Sequence, residues 1–174
     1  YAVGCSDVCS SDLYAVGCSL RAPRAIERLR RMKGDGELTV VCESIAQVSE
    51  YCRVDNAVFR ILKRNLPGPF TFVLPASSHV PDKVLEKRRT IGIRIPANAV
   101  TRAIVGALGC PMLTTSVKDD ETEYTTDPEL IQERFGRTIA FVVDGGIGET
   151  VPTTVVDLTD GEPLIVREGK GELR

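Results

Sequence analysis

The stretch Leu66-Pro67-Gly68-Pro69-Phe70-Thr71-Phe72-Val73-Leu74 constrains this chain more than any other. Each proline fixes φ and lacks an N–H, and a glycine sits between them, so no helix can run through and a rigid turn results. The residues that follow are β-branched, aromatic or aliphatic, which predicts a buried strand. Three later stretches read the same way and are expected to lie against it: Thr90 to Pro96, Pro111 to Ser116 and Pro152 to Leu158. Each carries hydroxyl or cationic residues, namely Arg94, Thr114, Thr115, Ser116, Thr153 and Thr154. Open α/β sheets build their sites at such strand ends, so the function is expected where these ends converge.

The rest of the chain alternates helix and strand. Pro23 suits the first turn of a helix whose apolar face is Ala25, Ile26, Leu29 and Met32, stopped by Gly34 and Gly36. Leu38 to Cys42 is a short apolar strand. Ser44 and Gln47 have capping-box spacing for a helix to about Cys52, and Asp55 caps another that runs to the Pro67 turn. A short helical piece is expected near Pro81 to Glu86. Asn98 opens a helix ended by Gly109, and Asp127-Pro128 opens one closed by Gly136. Lys118 to Thr126 reads as a solvated loop. Tyr14 to Cys18, Ile139 to Val143 and Leu164 to Val166 complete the strands. The expected fold is therefore α/β: a twisted, mixed, open sheet with helices on its faces, in one domain from 14 to 174.

Tyr1 to Ser6 recurs as Tyr14 to Ser19, separated by Asp7-Val8-Cys9-Ser10-Ser11-Asp12-Leu13. Such an identity without a continuing period is not a solenoid repeat. The insert resembles the translation of a sequencing adapter, so residues 1–13 are expected to be an artefactual or disordered segment, with the natural N-terminus missing.

Composition excludes several classes. A net charge of −2 gives no global cationic field for nucleic acid. No apolar run is long enough to span a membrane and no signal peptide is visible, so a cytoplasmic protein without membrane contact is expected. The 6 cysteines form no CxxC pair, and His79, in a loop-like stretch, is the single histidine. Reduced, mostly buried thiols are expected rather than a zinc site or a disulfide framework.

No catalytic triad, P-loop or GxGxxG is present, and Gly145-Gly146-x-Gly148 reads as a flexible turn. The stronger signal is the scatter of cations and hydroxyls at element ends. Lys33 ends a helix facing a glycine loop. Arg94 sits in a strand that otherwise reads as core, where a guanidinium needs a carboxylate or phosphate partner; Asp157 in a neighbouring strand is the internal candidate. Thr114-Thr115-Ser116 can hold an anion or simply cap a turn. Arg167 can reach back over the sheet or remain solvated. Lys87-Arg88-Arg89 is a solvated basic run or a contact for RNA phosphates.

In order along the chain, Tyr14-Ala15-Val16-Gly17-Cys18, Pro67-Gly68-Pro69-x-Thr71, Ile93-Arg94-Ile95-Pro96, Thr114-Thr115-Ser116, Asp144-Gly145-Gly146, Thr153-Thr154-Val155-Val156-Asp157 and Val166-Arg167-x-Gly169 resemble the YrdC/YciO family. Arg53-Val54-Asp55-Asn56 and Lys87 to Gly92 look most like its YciO branch. The resemblance implies a YrdC-like fold with a concave nucleotide cleft. It also implies threonylcarbamoyl-AMP synthesis from L-threonine, bicarbonate and ATP for tRNA modification, with Mg2+ assisting, or double-stranded RNA binding without that activity. By position it assigns ATP and phosphate contacts to Lys33, Arg94, Thr115, Ser116, Thr153, Thr154 and Arg167, and no certain catalytic residue. Asp35 stands where the family motif has arginine, the loop after Lys33 is short, Lys118 stands where it has asparagine, and the Pro-Thr-x-Thr segment before Tyr14 is absent.

Overall fold

The computed structural model describes residues 2–6, 14–33, 38–85, 88–148 and 150–174, with backbone alone for 2–6. Gly34, Asp35, Gly36, Glu86 and Lys87 lie outside them, as does the 7–13 insert.

Among the described residues the strands are β1 (Ala2–Ser6), β2 (Tyr14–Ser19), β3 (Thr39–Val41), β4 (Phe70–Pro75), β5 (Thr90–Arg94), β6 (Met112–Ser116), β7 (Phe141–Val143), β8 (Thr154–Asp157) and β9 (Leu164–Arg167). They form a single mixed sheet in the order β7-β1-β2-β6-β3-β5-β4-β8-β9. The turn at Leu66 leads into β4 as expected; its Leu66–Pro67 peptide is cis and Gly68 N donates to Ile95 O at 3.0 Å. β5 and β8 flank β4. The stretch Pro111 to Ser116 does not lie against it: β6 pairs antiparallel with β2 and β3, and two strands, β3 and β5, separate it from β4. The short run Leu38 to Cys42 inserts as β3, parallel to β5 and antiparallel to β6, and so keeps them apart. β1 pairs with its own duplicate β2 and with β7, so Ala2–Ser6 is hydrogen-bonded on both sides.

The helices are α1 (Pro23–Lys33), α2 (Ile45–Tyr51), α3 (Asn56–Asn65), α4 (Asp82–Leu85), α5 (Ala99–Leu108), α6 (Glu123–Thr126) and α7 (Pro128–Phe135). Their starts follow the expected caps. Ser44 accepts from Gln47 N, Asp55 from Val58 N, Asn98 from Thr101 N and Asp127 from Glu129 N. Gly109 ends α5 at φ 60°, a left-handed position suited to glycine. The acidic stretch expected to be all loop contains the helical turn α6, whose threonine hydroxyls bond back to Thr122 O.

Alternation along the strands sorts residues onto two faces. Tyr14, Val16, Cys18, Val40, Phe70, Phe72, Leu74, Ile91, Ile93, Leu113 and Val156 enter one core, closed by Ile26, Leu29, Val48, Val58, Leu62 and Ile131 from the helices. On the other face Val41 and Met112 pack against Val105 of α5. Cys18, Cys42, Cys52 and Cys110 are free and buried, as expected of reduced thiols. Burial pushes the Cys18 thiol up to about 11 and Cys52 to about 12, and raises Cys42 as well.

Candidate functional site

Arg94 ends β5. Val41 of β3 is its Cα partner, and Met112 of β6 is the next residue along that row. In the other direction the register Phe72↔Ile93 puts Thr71 beside Arg94; Thr71 pairs with Val155 and Val155 with Arg167. Arg94, Thr71 and Arg167 thus share one row and one face. Thr153 joins them: its hydroxyl lies 2.9 Å from that of Thr71, and both side chains are buried. Arg167 Nη2 donates to Thr153 O at 2.9 Å, so this arginine reaches back over the sheet. Gly92 makes room for the row, because a Cβ there would stand 3.1 Å from Thr71 Cγ2. Asp157 sits level with Gly92 rather than Arg94, and its carboxylate accepts from Thr159 N at 2.8 Å.

A second cluster forms at the far end of β6. Lys33, Thr115 and Ser116, with Lys118, line a cleft of about 260 Å³ whose apolar walls include Val16, Met32 and Phe135. Thr115 is 7% exposed, and its hydroxyl is buried without a hydrogen-bond partner. A buried hydroxyl costs free energy unless something bonds it, so this atom marks a place for a ligand or water. Two contacts hold the walls. Arg28 Nη2 donates to Thr138 O, tying α1 to the segment after α7. Arg134 of α7 makes a bidentate pair with Asp119 at 2.8 and 3.0 Å, which fixes the chain beside Lys118 and holds the Asp119 carboxyl below its usual range. Tyr14, fully buried, donates to Gly146 O at 2.7 Å and accepts from Gly145 N at 3.2 Å, pinning the Asp144-Gly145-Gly146 turn to the start of β2.

The expected site residues therefore form two groups rather than one. Ser116 lies four residues beyond Met112, which is level with Arg94; at about 3.3 Å per residue the groups are separated by about 13 Å along the strands. Ser116 shares the face of Arg94, whereas Thr115 pairs with Val16 and faces the main core, so one ligand can touch both groups only if it is extended and passes the end of β6. Thr154 belongs to neither. It faces the main core, is 1% exposed, and donates to Gly171 O at 2.6 Å while accepting from Gly169 N at 3.1 Å and Gly171 N at 3.0 Å. Thr71, not among the expected site residues, is the addition; its signal was one hydroxyl in an otherwise apolar strand.

A further groove of about 710 Å³ lies at the opposite end of β4 and β5 and includes Arg53, Arg88 and Arg89 in its walls. Among the described residues no group of three or more His, Cys, Asp or Glu side chains could hold a metal ion. No helix there is long and apolar enough to cross a membrane.

Residues 11–169 match the family model for the Sua5, YciO and YrdC proteins, described as telomere recombination. The chain is 42% identical over 166 residues to the uncharacterized protein YciO of Escherichia coli strain K12, covering 92% of this chain and 81% of that one. It is 30% identical over 157 residues to the threonylcarbamoyl-AMP synthase of Thiobacillus denitrificans, covering 87% and 82%. The crystal structure of E. coli YciO superposes with a TM-score of 0.87 at 41% identity, over 98% of this chain and 84% of that one. P. abyssi Sua5 complexed with L-threonine superposes at 0.82 with 25% identity, over 97% of this chain and half, 50%, of that one.

Proposed function

The chain belongs to the Sua5, YciO and YrdC family, and from that premise we propose that it is a nucleotide-binding nucleotidyltransferase of the L-threonylcarbamoyladenylate synthase type. In this reading the amine of L-threonine and bicarbonate condense to a carbamate with loss of water, the carbamate reacts with ATP to release pyrophosphate, and the resulting threonylcarbamoyl-AMP serves modification of tRNA in the cytoplasm. The observation that carries it is the pair of polar clusters at the two ends of one sheet: arginines and paired hydroxyls at one end, a lysine-rimmed cleft with a partnerless buried hydroxyl at the other.

The chemistry asks for such an arrangement. A carbamate oxygen attacks the α-phosphorus, the bond from that phosphorus to the bridging oxygen breaks, and pyrophosphate leaves. Negative charge gathers on the phosphoryl oxygens in the transition state, so fixed cations there lower the barrier. Arg94 and Arg167 supply that charge from rigid strands. The Thr71–Thr153 hydroxyl pair and the bond from Arg167 to Thr153 O hold the second arginine in place. Lys33, Thr115 and Ser116 bind the far end of the nucleotide or the acid substrate. The described residues form no metal cage, so magnesium is expected to arrive on the triphosphate.

The test is pyrophosphate release from ATP with magnesium, with and without L-threonine and bicarbonate. Release that requires both co-substrates and is lost in Arg94→Ala supports the proposal. A folded protein that binds ATP and releases nothing refutes it.

The groove containing Arg53, Arg88 and Arg89 favours a second reading, a double-stranded RNA binder whose contacts are phosphates. In that case Arg53→Gln and Arg89→Gln would each weaken duplex RNA binding and flatten its salt dependence by about one phosphate contact. Arg94→Ala would change RNA binding little.

A further inference from the structure

Arg102 lies in the first half of α5 and belongs to no sequence motif. Its Nε is buried and makes no hydrogen bond. The residue as a whole is half-buried, so the orphaned group is this one N–H, a donor that a ligand or an anion can complete.

Its position follows from the helix geometry. Val105 packs on Val41 and Met112, the two residues level with Arg94, so α5 lies across the end of the sheet where Arg94 sits. Residues 102 and 106 are one helical turn apart on a common face. A Cβ on Gly106 would come within 2.8 Å of Glu43 Oε2, so that face looks toward the segment leaving β3. That segment is fastened to Arg94 itself, because Cys42 N donates to Arg94 O at 2.9 Å. Arg102 is one turn nearer the start of α5, and that start follows directly from Arg94 through Ile95 to Asn98. Two arginines from consecutive elements therefore border the same strand ends.

We propose that Arg102 is a phosphate-binding residue that acts with Arg94, closing from the helix side on a di- or triphosphate held over β3 and β5. The proposal rests on the nucleotide-binding reading above and adds the residue that contributes the opposite wall. Glu43 is the alternative destination for this guanidinium, but among the described residues no ion pair joins them.

Equilibrium binding of inorganic pyrophosphate and of ATP, measured calorimetrically on the full chain and on Arg102→Gln, Arg94→Gln and Glu43→Gln, separates the possibilities. The expected result is about tenfold weaker pyrophosphate binding in Arg102→Gln, the loss of one charge-assisted contact, with an unchanged melting temperature and no effect of Glu43→Gln on binding. Unaltered binding in Arg102→Gln, alongside a loss in Arg94→Gln, overturns the inference and leaves the nucleotide reading standing. Equal losses of stability in Arg102→Gln and Glu43→Gln, with binding intact, also overturn it, because they assign Arg102 to an internal ion pair. Failure of the parent chain to bind either probe refutes the nucleotide reading and this inference together.

Discussion

Thr153 and Thr154 are adjacent, both buried and both threonine, yet the sheet gives them different work, and substitution should separate them. Thr154 uses its full bonding capacity: its hydroxyl hydrogen goes to Gly171 O and both lone pairs receive N–H groups, from Gly169 and Gly171. Thr154→Val keeps the shape and removes all three bonds. At about 1 kcal/mol net per hydrogen bond the loss would be about 3 kcal/mol. Gly169 is exposed and Gly171 half-buried, so water recovers part of this and about 2 kcal/mol remains. In a domain of this size that lowers Tm by roughly 4–8 °C. Urea unfolding gives the stability, and amide exchange at Gly169 and Gly171 shows whether the loss is local to the C-terminal segment. Thr154→Ser, which keeps the hydroxyl, should retain protection at both amides. Wild-type stability and protection in Thr154→Val, combined with weakened ATP binding, would refute the reasoning and return Thr154 to the ligand site.

Thr71→Val, which removes the hydroxyl facing Thr153, should lower pyrophosphate release at least tenfold while costing about 1 kcal/mol of stability by urea titration. Gly171→Ala places a Cβ 2.7 Å from the Phe70 ring and 2.9 Å from Pro69 O; overpacking there should destabilise by about 1–3 kcal/mol in the same assay. The thiols of Cys18, Cys42 and Cys52 ionise at higher pH in the folded protein than in the unfolded chain, near 9.0. The native state therefore holds their protons more tightly. This contribution to stability is full below pH 9 and falls as pH rises toward 11–12, which melting curves across that range will show. Below pH 9 the same thiols should resist a disulfide reagent until the protein unfolds. The lowered carboxyl of Asp119 acts in the opposite direction: its pairing with Arg134 is present above the ordinary carboxyl value of 3.8 and is lost as pH falls below it, as NMR titration of its side chain will show.

Local chemistry made much of the fold legible. The Pro67 turn, the caps at Ser44, Asp55, Asn98 and Asp127, and the Gly109 stop are each decided within a few residues, and the structure repeats them. Pairing is decided elsewhere. β3 has three residues, and nothing within Leu38 to Cys42 says that it inserts between β5 and β6 and sends Arg94 and Ser116 to opposite ends. Parity is equally hidden: whether Thr153 or Thr154 faces the site depends on the register of β8 against β4, fixed by contacts 82 or more residues away. Arg102 was silent because a cation on an amphipathic helix reads as a solvated residue, and the burial of its Nε appears only when α5 lies on the sheet. Met32 was expected in the apolar face of α1; it is instead partly exposed at the wall of the cleft.

The side chain of Asn65 holds the backbone of Arg174 with two bonds, Arg174 N to Oδ1 at 2.9 Å and Nδ2 to Arg174 O at 3.2 Å. These residues are 109 positions apart. On a ribosome working at 5–20 residues per second, the chain that separates them takes roughly 5–20 s to make. Through that interval α3 and the turn after it stand complete while their covering segment does not yet exist. Phe70, stacked on Phe72 and awaiting the glycine loop that will cross it, is exposed to other nascent chains for the same period. The polar end of the sheet therefore cannot be finished until residue 174 has been made, and the speed of translation from residue 66 to 174 sets how long it waits.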